Sequence, residues 1–188
     1  MVKRNACVFI SGEGSNLRNL LKRSRDYNFP VSIKLVISNN PKAKGVNFTK
    51  KYSIPYLIVN TKVRNFENII LAYLKRYRIN IICLAGYMRI ISKKFLRSFG
   101  KSVINIHPSL LPKFKGLNTF KRIIEKKETK SGCTVHYVND KLDGGKVITQ
   151  KSFYLVSNSS ELDLKKKTQK LEYLAYPEAI VKIFRSNF

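Results

Sequence analysis

The stretch Asn5-Ala6-Cys7-Val8-Phe9-Ile10-Ser11-Gly12-Glu13-Gly14-Ser15-Asn16 indicates the fold class of this 188-residue chain. Its first half is a continuous apolar run, which is typical of a strand covered on both faces. Its second half is a Gly/Ser/Asn loop, and the spacing from Leu17 to Arg25 predicts an amphipathic helix directly after it. Such a loop offers backbone N–H groups and the positive end of a helix dipole to a phosphate. It also suits an ordinary strand-to-helix turn with a capping Ser or Asn, because it matches neither GxGxxG nor a P-loop.

The alternation of strand and helix continues through the first hundred residues. Further strands are predicted at Val31–Ile37, Tyr56–Val59 and Asn80–Ala85, with helices at about Lys44–Tyr52 and Asn65–Arg78. This pattern implies an α/β fold with a mostly parallel sheet, right-handed crossovers and helices on both faces. Ligands bind at the carboxyl ends of such strands. We therefore expect three loops to share one rim: Ser11–Asn16, Gly86–Arg89 and Asn105–His107.

The second half opens on Asn105-Ile106-His107-Pro108-Ser109-Leu110-Leu111-Pro112, after a short predicted strand at Ser102–Ile104. Side chains alternate along a strand, so Asn105 and His107 are expected to point the same way and Ile106 into the core. An amide beside an imidazole suits a site that stabilises a developing oxyanion. An isolated Asn-x-His equally suits a histidine held in a turn.

The remaining elements of the second half include the antiparallel strands of the sheet. A helix is predicted at about Asn118–Lys127, strands at Cys133–Val138 and Val147–Leu155, and helices at about Glu161–Ala175 and from Pro177 to near Arg185. Ser160 is predicted to cap the first of the last two helices. The apolar face of that helix is assigned to Leu162, Leu164, Leu171 and Leu174. His136, in the middle of a strand, is interpreted as a core or sheet-face histidine rather than a catalytic one.

Charge is the unusual feature of the composition, with 37 Lys and Arg against 11 Asp and Glu and a net charge of +26. A nucleic-acid binder would gather these bases on one face. Here they are scattered, and the longest run is Lys165–Lys167 in a chain rich in Ile and Asn. Compositional bias is therefore favoured, and nucleic acid is not expected as a partner. The positive field should attract small anions.

The cysteines and the apolar runs indicate the compartment. Cys7, Cys83 and Cys133 are odd in number and form no CxxC, which argues against a disulfide framework and a zinc site, and no metal is expected. No apolar run approaches the roughly 20 residues that cross a bilayer, and no signal peptide is expected. A reducing cytoplasm is the predicted location. No repeat or linker is found, so a single domain is expected over residues 1–188, with halves at about 1–100 and 101–188.

Five stretches of the chain form one pattern: Ile10–Leu17, Leu84–Ile90, Asn105–Pro112, Asp140–Gly145, and Glu172 with Tyr176-Pro177. Together they resemble the phosphoribosylglycinamide formyltransferase family. The resemblance covers almost the whole chain and implies a single-domain formyltransferase fold with a Rossmann-like sheet. It implies transfer of a formyl group from 10-formyltetrahydrofolate to the amino group of glycinamide ribonucleotide, in purine synthesis.

The resemblance places the catalytic trio at Asn105, His107 and Asp143. Asn105 and a protonated His107 would donate hydrogen bonds to the tetrahedral intermediate. Asp143 would raise the pKa of His107 above its reference near 6.5 and would order a water that carries a proton from the attacking amine to the leaving nitrogen. Without the resemblance, Asp143 equally suits a turn before Gly144-Gly145.

The same resemblance implies residues for both substrates. Gly14, Ser15 and Asn16 would hold the ribonucleotide phosphate, with a weaker assignment for Arg64, and Glu172 would bind the glycinamide amine. The folate pocket would be formed by Met88, Arg89, Ile91, Val138 and Asp140. Without a binding role, Glu172 would be an ordinary solvated glutamate, and Met88 and Ile91 would simply pack in the core.

The chain departs from the family pattern at three loop positions and at its end. Asn118 and Ser131 stand where histidines are frequent, and Lys115 where proline is usual, which predicts a more mobile loop after Pro112. The chain stops at Phe188, before the C-terminal extension of many relatives. A sheet edge left bare in this way would favour a homodimer.

Three alternative functions remain at this point. A methionyl-tRNA formyltransferase shares the His-x-Ser-Leu-Leu-Pro run but needs a second domain, and a formyltetrahydrofolate hydrolase usually carries a regulatory domain. A basic nucleic-acid-binding protein would show an affinity that falls steeply with salt.

Overall fold

The computed structural model describes residues 2–156 and 158–185, which divide into two compact units at the boundary between Ile104 and Asn105. The first unit contains β1 (Arg4–Ile10), α1 (Ser15–Arg23), β2 (Val31–Ser38), α2 (Val46–Lys51), β3 (Tyr56–Ile58), α3 (Phe66–Arg76), β4 (Ile81–Leu84) and α4 (Lys93–Phe99). Strand β5 (Ser102–His107) crosses the boundary. The second unit continues with α5 (Thr119–Glu125), β6 (Lys130–Tyr137), β7 (Val147–Tyr154) and α6 (Glu161–Arg185).

The strands form a seven-stranded sheet in the order β3-β2-β1-β4-β5-β6-β7. In the first unit β1 pairs in parallel with both β2 and β4, and β2 pairs in parallel with β3. Five consecutive side chains of β1, from Ala6 to Ile10, are at most 1% exposed. This double-sided burial explains why β1 reads as an unbroken apolar run, and the predicted mostly parallel α/β fold is confirmed. The assignment of the whole chain to one domain stays a prediction.

In the second unit β6 and β7 are antiparallel, as predicted, and α6 packs against both strands. The buried side of α6 is formed by Leu164, Thr168, Ala175, Tyr176, Pro177, Ala179 and Ile180. Ser160 caps this helix as predicted: its hydroxyl accepts from the Asp163 amide at 3.1 Å, and the Asp163 carboxylate accepts from the Ser160 amide at 3.2 Å. This is the reciprocal geometry of a capping box.

Three details of the predicted elements were wrong. The break before Pro177 does not occur, because α6 runs continuously through this proline, which is buried together with Tyr176. Leu162 and Leu174 are 57% and 53% exposed, so they do not belong to the buried face. Helix α4 was not predicted. No helix in the described part of the chain is both long and apolar enough to span a membrane.

Candidate active site

The Asn105–His107 segment lies at the end of strand β5 in the second unit. The strand runs through His107, three residues further than predicted, and stops before Pro108, which has no N–H for a sheet bond. Ile106 is 7% exposed and belongs to the core. The side chains of Asn105 and His107, two residues apart, both reach a pair formed by His136 and Asp143. The expected common direction of Asn105 and His107 is thereby confirmed.

The imidazole of His107 lies between two hydrogen-bond acceptors. Its Nε2 is 2.8 Å from the Phe114 carbonyl oxygen, and since a carbonyl only accepts, Nε2 carries a hydrogen. Its Nδ1 is 3.3 Å from Asp143 Oδ2. Burial of the ring lowers the pKa of His107 below 6.5, and this outweighs the upward effects of the Phe114 carbonyl and the Asp143 carboxylate. The expectation of a raised pKa for His107 was therefore wrong, because the cost of burying the charged ring exceeds the attraction of Asp143.

Asp143 is the centre of the cluster. Its backbone has a φ of 45°, which is uncommon for a residue with a side chain, and its side chain is 8% exposed. Oδ2 accepts from the Gly116 amide at 2.9 Å, and Oδ1 is 3.6 Å from His136 Nε2. Burial raises the pKa of this carboxyl, but the adjacent His136 side chain, the hydrogen bond from the Gly116 amide and the adjacent His107 together lower it below 3.8. Asp143 is therefore an ionised acceptor that faces both imidazoles.

His136 is the site residue that sequence reasoning missed. It is 2% exposed, in line with the prediction of a core histidine. Its Nδ1 is 2.8 Å from the Tyr137 carbonyl oxygen and must donate to it. In the neutral ring Nε2 then has a lone pair, and it accepts from Asn105 Nδ2 at 3.3 Å. His136 thus fixes how the Asn105 carboxamide is turned. The sequence did contain one indication of this role: His136 is two residues from Thr134, so two polar side chains of β6 share one face of the strand.

The loop after His107 is held by hydrogen bonds from three side chains, of Ser109, Thr134 and Gln150. Thr134 Oγ1 donates to the Ser109 carbonyl at 2.6 Å and accepts from the Leu111 amide at 3.0 Å. Gln150 Nε2 donates to the Leu111 carbonyl at 2.8 Å, and Ser109 Oγ donates to the Lys113 carbonyl at 2.6 Å. The loop that carries the Phe114 carbonyl to His107 is therefore anchored to β6 and β7.

The predicted phosphate-binding residues lie in the first unit, at the start of α1. Ser15 and Asn16 are its first two residues, and Gly14, with φ 73°, precedes them without a side-chain cap. The Gly45 amide donates to the Gly12 carbonyl at 3.0 Å. A Cβ on Gly14 would lie 2.5 Å from Gly45 Cα, so two glycine backbones are packed directly against each other. This contact holds the loop at the N-terminus of α1, where the helix dipole and free backbone N–H groups favour an anion.

The segment Gly86–Ile91, which includes three predicted folate-binding residues, is also in the first unit. Its side chains Met88 and Ile90 are 66% and 83% exposed, yet its backbone is fixed. The Tyr87 ring packs edge-on against Phe9 with centroids 5.2 Å apart. The Met88 amide donates to Ser11 Oγ at 2.7 Å. Two of the loops that were expected to share a rim are therefore in direct contact.

Four other predicted site residues are placed as follows. Arg64 is exposed in the turn before α3, and Val138 and Asp140 are in the loop that follows β6, half-buried and exposed, respectively. Glu172 is half-buried on α6. Its charge is close enough to Cys133 to contribute, after burial, to raising the pKa of that thiol to about 12.

Comparison with known proteins identifies the family. Residues 4–180 match the formyl transferase family. The chain is 37% identical over 183 residues to the phosphoribosylglycinamide formyltransferase of Haemophilus influenzae, covering 94% of this chain and 85% of that protein. It is 36% identical to the trifunctional purine biosynthetic protein adenosine-3 of Drosophila melanogaster, with 95% of this chain matched to 14% of that longer protein.

A solved structure supports the same conclusion. The phosphoribosylglycinamide formyltransferase of Anaplasma phagocytophilum superposes with a TM-score of 0.92 at 35% identity, over 98% of this chain and 88% of that one. The chain belongs to the formyl transferase family. Within that family, the predicted resemblance to phosphoribosylglycinamide formyltransferases is confirmed.

Proposed function

We propose that the protein transfers the formyl group of 10-formyltetrahydrofolate to the amino group of glycinamide ribonucleotide, in the cytoplasm. The observation that carries the proposal is the buried cluster of the second unit, in which Asn105, His107, His136 and Asp143 lie within 3.6 Å of one another as successive pairs. Such a cluster supplies hydrogen-bond donors next to a carboxylate, as transfer of an acyl group to an amine requires.

Asn105 and His107 are the proposed donors to the intermediate. When the substrate amine attacks the formyl carbon, the formyl oxygen becomes negatively charged. Asn105 Nδ2 has a second hydrogen besides the one directed at His136. His107 Nε2 donates to the Phe114 carbonyl in this structure, so donation to the formyl oxygen requires exchange of one oxygen for the other. Loss of one such donor costs about 10² to 10³ in rate.

Asp143 is the proposed proton carrier, acting through an ordered water. Its lowered pKa keeps the carboxylate ionised at neutral pH. It holds the water through which the attacking amine loses a proton and the leaving folate nitrogen gains one, as the bond from that nitrogen to the formyl carbon breaks. The same charge, together with the oxyanion, opposes the effect of burial on His107. The imidazolium is therefore favoured as the intermediate forms, although the pKa of His107 is low in the unliganded protein.

The proposed binding roles follow the resemblance to phosphoribosylglycinamide formyltransferases. Gly14, Ser15 and Asn16 are proposed to hold the ribonucleotide phosphate at the α1 N-terminus, with Arg64 as a further cation. Glu172 is proposed to bind the glycinamide amine. For the folate, the proposed residues are Met88, Arg89, Ile91, Val138 and Asp140.

The test is formyl transfer by the purified protein from 10-formyltetrahydrofolate to glycinamide ribonucleotide. The variants are His107→Ala and Asp143→Asn, with Asp26→Asn as a matched control because Asp26 is an exposed carboxylate of the first unit. We expect kcat to fall by at least about 10² in both site variants and to stay unchanged in the control.

Two outcomes would contradict the proposal. A folded wild-type protein without turnover on this substrate pair would exclude the reaction, and a tRNA acceptor would be tested next. Wild-type turnover that survives both site substitutions would retain the reaction but remove the cluster as its site.

A further inference from the structure

The hydroxyl of Ser11 connects two loops to which different substrates have been assigned. Ser11 follows the last residue of β1 and opens the loop that leads to Gly14, and it is 9% exposed. Its Oγ donates to Asn39 Oδ1 at 2.5 Å, because an amide oxygen can only accept. A lone pair of the same oxygen then accepts from the Met88 amide at 2.7 Å. One atom thus joins the ends of β1 and β2 to the segment after β4.

The Ser11 backbone is fixed as well, so the hydroxyl has a defined position. Asn40 Nδ2 donates to the Ser11 carbonyl at 2.9 Å. Asn40 is in turn held by Ser38, whose Oγ donates to the Asn40 carbonyl at 2.9 Å and accepts from its amide at 3.1 Å. Ser38 is therefore linked to the Ser11 carbonyl through Asn40, whereas the Met88 amide bonds to the Ser11 hydroxyl and not to Ser38.

The segment that receives this bond has no regular secondary structure between the end of β4 and the start of α4. At its far end, Ser92 is held by Glu67, whose carboxylate accepts from the Ser92 amide at 3.1 Å and from its hydroxyl at 2.5 Å. Between these ends Met88 and Ile90 expose apolar side chains on a fixed backbone. Such a surface suits a flat apolar ligand only while its backbone keeps this conformation. The apparent affinity falls in proportion to the fraction of molecules that have it.

We propose that Ser11 is a positioning residue for the formyl donor: its hydroxyl holds the Met88 amide so that the Gly86–Ile91 segment is preformed for the pterin-bearing substrate. This inference rests on the proposed function. Because the bond touches neither reacting group, its loss is expected to raise KM for the formyl donor and to change kcat little.

The first measurement needs no substrate. Hydrogen exchange at the Met88 amide is followed in the wild type and in Ser11→Ala, and we expect at least about tenfold faster exchange in the variant. Equal exchange in the two proteins would overturn the proposal. In Ser11→Thr, which keeps the hydroxyl, we expect wild-type protection.

The second measurement is the KM for 10-formyltetrahydrofolate at saturating glycinamide ribonucleotide. In Ser11→Ala it is expected to rise about tenfold with kcat changed less than about threefold, whereas Ser11→Thr stays near the wild type. Ser38→Ala is the matched control: it disturbs Asn40 but leaves the Met88 bond in place, so KM should not change. Equal increases of KM in Ser11→Ala and Ser38→Ala would overturn the proposal, because they would indicate a general loosening of the hydrogen bonds around Asn40 rather than loss of the Met88 bond.

Failure of this inference and failure of the proposed function are distinguishable. An active wild type with unchanged KM in Ser11→Ala overturns this inference alone. An inactive, folded wild type overturns the proposed function, and the role toward the formyl donor falls with it. If Ser11→Ala does not fold, Asn39→Ala replaces it, because it removes the acceptor that orients the Ser11 hydroxyl. An unchanged KM in Asn39→Ala would then overturn the proposal.

Discussion

Replacement of His136 by phenylalanine tests how the buried site is oriented. Phenylalanine keeps a ring of similar size but removes both nitrogens. The Tyr137 carbonyl then loses its donor at 2.8 Å, and Asn105 Nδ2 loses its acceptor at 3.3 Å. Each loss leaves a polar group less well satisfied, and together they are expected to cost about 1 to 3 kcal/mol of folding free energy.

The expected effect on kcat is worked from the Asn105 bond. Any effect through Asp143, whose Oδ1 is 3.6 Å from His136 Nε2, would be the same in both backgrounds compared below. A long hydrogen bond between neutral groups contributes about 1 kcal/mol, and if it serves to orient the Asn105 donor, its loss lowers kcat by about fivefold to tenfold. The same substitution in an Asn105→Ala background has no donor left to misorient. There we expect a further decrease of less than about twofold.

The assay is a double-mutant cycle on kcat for formyl transfer, with the free energy of unfolding of each variant measured by urea titration. The stability measurement separates loss of folded protein from loss of orientation. Equal fivefold to tenfold decreases in the wild-type and Asn105→Ala backgrounds would refute the reasoning, since His136 would then act independently of Asn105.

Three further predictions concern the phosphate loop and two titrating groups. Gly14→Ala combines a positive φ with a Cβ 2.5 Å from Gly45 Cα, so we expect about 2 kcal/mol of destabilisation and at least about tenfold weaker glycinamide ribonucleotide binding. Glu178 has a pKa lowered to about 2 by hydrogen bonds from two lysines. Above pH 4.5 we expect it to stabilise the fold by about 1 kcal/mol relative to Glu178→Gln, a figure reduced because the side chain is 37% exposed. This stabilisation should be lost as the pH falls toward 2. The pKa of His107 is lowered by burial, so its protonation favours the unfolded chain, and stability should decrease as pH falls below 6.5.

The measurements and controls for these three differ. Gly12→Ala is the control for Gly14→Ala, because a Cβ on Gly12 meets nothing within 4 Å, and equal losses of binding in both would contradict the packing argument. For Glu178, urea unfolding at pH 7, 4 and 2.5 is compared with that of Glu178→Gln, and a constant difference would count against the prediction. For His107, the difference in unfolding free energy from His107→Gln should shrink between pH 7 and pH 5, and a constant difference would contradict the lowered pKa.

Periodicity predicted the fold well where local and global preferences agree. The strand β1, the loop after it and the helix α1 were predicted in this order and occur in it. The strand was recognisable because burial on both faces leaves only apolar residues in it. Pro177 shows where this fails. A proline removes one helical hydrogen bond, but α6 continues through it, with a buried face from Ala175 to Ile180. That packing comes from β6 and β7, which are far away in the sequence.

The candidate site shows the same contrast. The resemblance named Asn105, His107 and Asp143, and the structure brings His107 and Asp143 to 3.3 Å. It could not predict the protonation of His107, since that depends on how much water the surrounding residues exclude. Nor could it assign His136 to the site. Alternation along β6 shows which of its side chains share a face of the sheet, but not that Asn105 of β5 contacts His136.

The three buried thiols have a consequence for how opening of the fold can be followed. Cys7 and Cys83 lie in the first unit and Cys133 in the second, and all three are buried. Burial raises the pKa of Cys133 to about 12 and raises that of Cys7 well above its usual value, so neither is a reactive thiolate in the folded chain. A thiol-specific alkylating reagent therefore modifies these positions only after local or global unfolding. The order in which the three peptides acquire label would report which unit opens first, without any engineered probe.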